Sequence, residues 1–155
     1  MRHALKYLVH SVATVLVAPQ VLSYVVRARV LGPDRALTGS SQVLALVPGV
    51  LGIVLRRAFL ARALPSCAHT ATLEFGVLFL RADVRVGQRV FIGPYSVIGS
   101  AELADDVLIG SGVRVMGGAR QHAFDDPSQV IREQSGQRGY VRVGRGARAP
   151  TSPPT

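Results

Sequence analysis

Six-residue units run through residues 73–120, and that period constrains the fold more than any other feature of the chain. Val86-Gly87-Gln88-Arg89-Val90-Phe91 is followed at once by Ile92-Gly93-Pro94-Tyr95-Ser96-Val97. After Ile98-Gly99 and a one-residue contraction come Leu103-Ala104-Asp105-Asp106-Val107-Leu108 and Ile109-Gly110-Ser111-Gly112-Val113-Arg114. Looser units start at Leu73, Leu80 and Val115, and residues 143–148 form another after a gap. Each unit opens on an aliphatic residue, has a small residue second, and a small or β-branched residue fifth. That spacing is neither helical nor simple strand alternation. It predicts an all-β solenoid of very short parallel strands.

The residue types have physical reasons. The leading aliphatic residue points inward and stacks on its equivalent one layer away, at about 4.8 Å. A small second residue keeps the corner clear of the next layer. The fifth position also points inward, where a narrow prism admits only small or β-branched side chains. Ile92, Ile98, Ile109 and Val113 are therefore expected inside, and Arg89, Asp105 and Arg114 outside. A β-sandwich with Gly-rich turns would space its turns more widely.

Beyond the repeat lie Gly117-Gly118-Ala119-Arg120-Gln121-His122-Ala123-Phe124-Asp125-Asp126-Pro127 and Ile131-Arg132-Glu133-Gln134. With these segments, residues 65–148 resemble the hexapeptide-repeat acyltransferases, nearest to sugar O-acetyltransferases of the polysaccharide and maltose-acetyltransferase type. The resemblance implies a left-handed parallel β-helix of hexapeptide repeats, here with an N-terminal α-helical segment. The handedness comes from the family alone, since crossovers are ordinarily right-handed. The resemblance further implies acetyl-CoA or a related acyl-CoA as co-substrate and a sugar or polysaccharide acceptor. It also implies a homotrimer with sites between subunits.

The chemistry expected of such a family rests on His122. Acyl transfer to a hydroxyl needs a base as the oxygen attacks the thioester carbonyl. A neutral imidazole, with an unperturbed pKa of about 6.5, suits that task. The resemblance assigns this role to His122, at the root of a loop spanning 121–140. Asp125 and Asp126 are candidates for orienting the imidazole or holding substrate hydroxyls, and equally for simple turn formation. Arg132 is a candidate tether or substrate contact. Gly117 and Gly118 could offer N–H groups to an oxyanion. Arg114, Arg120, Arg142 and Arg145 are solvent-facing cations available for donor phosphates. No Walker or Rossmann phosphate loop is present.

The first 64 residues read differently. They hold eight cations against the single acid Asp34, a net charge of +7, whereas residues 65–155 hold ten cations against eight acids, a net +2. The cations flank apolar runs with little aromatic interleaving, which argues against nucleic acid and toward an anionic membrane surface. Residues 7–26 carry no formal charge and approach the ~20 residues of a membrane span, but His10, Ser11, Thr14, Pro19, Gln20 and Ser23 interrupt them. Gly32-Pro33-Asp34 should break the first helix. A second is expected from an N-cap at Ser40 or Ser41 through residue 55, kinked at Pro48-Gly49, ending in the basic stretch 56–62. Arg2, Lys6 and the apolar run also suit a signal peptide, but no A-x-A cleavage site follows. Three readings compete for this segment: helices packing on the solenoid or between subunits, peripheral membrane attachment, and a true span.

Cys67 is the only cysteine, which excludes an internal disulfide, and no Cys/His cluster has metal-site spacing. Residues 149–155 contain three prolines in seven positions, which cannot continue a parallel ladder. The tail is expected to be disordered and the repeat array to be truncated relative to the family. Weak donor binding and low turnover follow from that expectation, and a catalytically inactive module is the alternative reading.

Overall fold

The computed structural model describes the backbone of residues 2–117 and 139–150, with side chains from residue 12 onward. Three helices precede the strands: α1 (Arg2–Leu31), α2 (Pro33–Ala45) and α3 (Gly49–Ala63). Eleven short strands follow among the described residues: β1 (Ser66–Cys67), β2 (Thr72–Leu73), β3 (Leu78–Phe79), β4 (Arg85–Val86), β5 (Phe91–Ile92), β6 (Val97–Ile98), β7 (Ala101–Leu103), β8 (Leu108–Ile109), β9 (Arg114–Val115), β10 (Val141–Val143) and β11 (Arg148–Ala149).

The chain visits three sheets in rotation. The first is ordered β1-β4-β7-β10, the second β11-β8-β5-β2 and the third β3-β6-β9, and every pairing is parallel. Inward residues stack in columns: Cys67, Val86, Leu103 and Val143 in the first sheet, Leu73, Ile92, Ile109 and Ala149 in the second. Phe79, Ile98 and Val115 form the third column. Ile92, Ile98 and Ile109 are fully buried, while Val113, one layer from the open edge, is half-buried. Arg89 and Arg114 are exposed and Asp105 is partly so.

The small second residue of the unit has the steric role expected of it. A Cβ on Gly93 would lie 2.7 Å from the Gly110 carbonyl carbon and the Ser111 nitrogen of the next layer. The corners also need positive φ, which Gly76, Gly112 and Gly146 adopt freely. Arg89, Tyr95 and Asp106 hold the same conformation without that freedom, at φ 54°, 60° and 63°.

The expected all-β solenoid class, a left-handed parallel β-helix, is corrected by this architecture. The chain is a mixed α/β fold of three helices and three parallel sheets of short strands. The helices are not an appendage, because Leu37, Leu44, Phe59 and Leu60 share one core with Leu73, Phe79, Val86 and Ile92.

The physical reason for that union lies at the outermost strands of the base. An edge strand carries unpaired N–H and C=O groups, which are costly to bury. Here the helices satisfy them. The Arg56 guanidinium donates to the Leu73, Leu44 and Val47 carbonyls at 3.0, 2.9 and 2.8 Å. Ser41 Oγ accepts from the Phe79 N–H at 2.9 Å, and Asp34 Oδ1 accepts from the Ala82 N–H at 2.9 Å. The Gly76 N–H donates to the Ala45 carbonyl at 3.1 Å. Thus α2 and α3 close the base of the stack, and α1 packs across both of them.

Four local expectations change accordingly. The second helix starts at Pro33, in the first helical position favoured by its fixed φ, so Ser40 and Ser41 are buried inside it and not N-caps. Pro48-Gly49 separates two helices instead of kinking one. The inward residue of the third unit is Phe79 and not Leu80, because an extra residue enters the following corner where Asp34 bonds Ala82. Ala149, assigned from sequence to the tail, pairs with Ile109 in β11.

Candidate functional site

Four candidate residues, His122, Asp125, Asp126 and Arg132, lie outside the described residues, as do Gly118 and Arg120. Their point of attachment is described. Gly117 and Gly139 touch so closely that a Cβ on Gly117 would overlap the Gly139 carbonyl. Only glycine permits so close a backbone approach.

A shallow groove lies three residues beyond that closure. It measures about 380 Å³ and is lined by Glu102, Ala104, Arg142, Val143 and Gly144. Its position follows from the register, since Arg142 sits directly opposite Glu102 across β10 and β7. Arg85 is the register partner of Glu102 on the other side, so Arg85, Glu102 and Arg142 form one cross-strand row on the first sheet. The Arg142–Glu102 pair is loose, with 3.6 Å between Nε and Oε2 and 81% of the Arg142 side chain exposed. An exposed pair of this kind contributes only about 0–1 kcal/mol. A phosphate could therefore displace the carboxylate at little cost.

Arg145 is more firmly engaged. Its Nη2 lies 3.0 Å from Asp105 Oδ2, while Asp105 Oδ1 accepts the Gln88 N–H at 2.8 Å. Those two contacts, the Gln88 N–H foremost, hold the Asp105 carboxyl below its usual range. Beside it, Arg89 grips both oxygens of Asp106 at 2.6 and 2.8 Å and lowers that carboxyl as well. Both acids are thus bound more tightly as carboxylates in the fold than in the unfolded chain, whose Asp pKa is about 3.9. The stability they contribute is complete above that value and is lost as pH falls through the lower folded values. Amide protection, taken relative to the intrinsic exchange rate at each pH, is accordingly expected to fall at β10 and β11 on acidification before it does at β2 and β5. Simultaneous loss across all the strands would show that these acids do not pin the last layer.

Arg114 stands exposed on β9, in the third sheet. Of the four cations considered for donor phosphates, the three among the described residues therefore occupy separate places: Arg142 on the first sheet, Arg145 at a corner and Arg114 on the third sheet. The structure does not bring them together. Glu102, Ala104, Val143 and Gly144 were not singled out from sequence. The available signal was the out-of-step spacing between Ile98 and Leu103, which lengthens β7 to three residues and places Glu102 outward.

Cys67 holds an inward position in β1 and is no nucleophile. Desolvation pushes its thiol up to about 12, so it stays protonated at neutral pH. Comparison of the chain with protein-family models, curated proteins and solved structures finds no match.

Proposed function

We propose that this chain transfers an acyl group from acyl-CoA to a sugar or polysaccharide hydroxyl, with His122 as general base. The observation that supports the reading is the close approach of Gly117 and Gly139, with the groove lined by Glu102 and Arg142 beginning three residues after Gly139. The resemblance of the repeat and of the His122 segment to hexapeptide-repeat acyltransferases supplies the reaction class.

Neutral imidazole takes the acceptor hydroxyl proton as the oxygen bonds to the thioester carbonyl carbon. The tetrahedral adduct collapses, the carbon–sulfur bond breaks, and the imidazolium returns the proton to the departing CoA sulfur. Arg142, released from Glu102, pairs with a donor phosphate. A second reading, a strand module without catalysis, is favoured by the separation of Arg114, Arg142 and Arg145.

Calorimetric titration with acetyl-CoA distinguishes the two. Saturable but weak binding is expected, weakened about ten-fold or more by Arg142→Glu, because a favourable phosphate contact becomes a repulsive one. Absence of saturable heat at millimolar donor would rule out the transferase reading.

A further inference from the structure

We propose that the base of the molecule docks on an anionic lipid bilayer, with α1 lying flat in the interface and not crossing it. The inference is independent of the acyltransfer reading. Residues Val12–Leu31 have a mean hydropathy of 1.3 and are long and apolar enough to cross a membrane. The helix is apolar on two opposite stripes, which is unusual for a helix covered on only one side. Ala13, Val17 and Tyr24 form the stripe buried against the rest of the protein. Val15, Leu22, Val26 and Val30 form the opposite stripe, exposed at 72%, 67%, 54% and 78%. A contiguous apolar stripe left in water marks an interaction surface.

Three polar contacts spread along α1 decide against a span. Arg62 Nη2 bonds Thr14 Oγ1 at 3.0 Å, the Tyr24 hydroxyl donates to the Ala63 carbonyl at 3.3 Å, and Arg27 Nη2 bonds Ser40 Oγ at 2.9 Å. These contacts tie both halves of the described part of α1 to α2 and α3, which are themselves bonded to the edge strands. A perpendicular α1 would drag Arg62, Arg27 and the strand base into hydrocarbon, where each cation is costly. Lying flat, the helix buries its outer stripe and leaves those groups on the water side.

Charge selects the kind of surface. Arg29, near the end of α1, and Arg35, in the first turn of α2, are both exposed. Asp34, the only acid in the first 64 residues, is turned to Arg81 at 2.8 Å and to the Ala82 N–H. A basic apolar face without a competing carboxylate matches an anionic interface, whose field acts within a Debye length.

The test is flotation of the full chain with vesicles of phosphatidylcholine alone or with phosphatidylglycerol. Binding is expected only with the anionic lipid, and high salt should weaken it. Removing two cations, Arg29→Ala with Arg35→Ala, should weaken partition about 25-fold. Leu22→Glu with Val26→Glu should weaken it by about 10² or more, with the thermal melt unchanged because both side chains are outside the core. Absence of flotation, or flotation indifferent to the Glu variants, would overturn the proposal. Retention through an alkaline carbonate wash would overturn the flat geometry in favour of a span. A dimer split by the Glu variants, without lipid binding, would give the face to a second copy and overturn it likewise.

Discussion

Replacing His122 with alanine is expected to lower acyl-transfer turnover by about 10²–10⁴-fold, the usual worth of a positioned general base. Stability should change little, since the resemblance implies a loop position for this residue. The pH profile carries the sharper signature. With His122 as base, activity should fall as the imidazole protonates below about pH 6.5. The His122→Ala chain should lose that limb and keep only a flat residual rate. A variant that is slower yet keeps the acidic limb would show that His122 positions something else. Imidazole added to the medium should restore part of the lost rate if the missing element is the base itself.

The second large effect is on folding. Arg56 is 2% exposed, and its guanidinium bonds three carbonyls from β2, α2 and the turn before α3. Burial pulls its pKa down, partly offset by Glu74, yet arginine keeps its charge through any ordinary shift. Arg56→Ala would take the side-chain donor from the Leu73 and Val47 carbonyls, while Leu44 keeps the Val47 N–H, and would open a cavity between the helices and β2. Each buried carbonyl left unsatisfied costs about 1–3 kcal/mol and the cavity adds to that, together a large share of the 5–15 kcal/mol typical of a whole domain. Urea unfolding should show this as a large fall in midpoint. Arg57→Ala serves as the control, because Arg57 makes one longer contact, 3.4 Å to the Ala71 carbonyl, and should cost far less. If the Arg56→Ala midpoint matched that of the Arg57 variant, the helices would not be closing the base as described.

These residues also show where the sequence was legible. Val86, Ile92, Leu103 and Ile109 are buried where the six-residue units put them, because an inward column repeats the same local pattern layer after layer. Phe79 was missed by one position, since an extra residue in the next corner shifts the frame without altering composition. The fold class was missed for a different reason. Hexads announce strands, but nothing local in residues 1–64 tells a separate basic segment from helices that complete the same core. Arg56 illustrates the difficulty: within 56–62 it looks like one more surface cation, and its burial depends on carbonyls far away in sequence. Pro33 was the more readable sign, as a helix-starting residue after a glycine, yet Ser40 and Ser41 drew the boundary instead. At the site, spacing led to Arg142 and Arg145 but not to their partners Glu102 and Asp105. Cross-strand pairing sets those contacts, and a hexad read alone does not reveal its neighbour.

One measurement bears most directly on the proposed activity: release of CoA from acetyl-CoA by the folded chain, with and without hexoses and maltooligosaccharides as acceptors. The account predicts slow CoA release that rises with acceptor concentration, yields the acetylated sugar in equal amount, and is lost in His122→Ala. CoA release independent of every acceptor, or unchanged in His122→Ala, would contradict it.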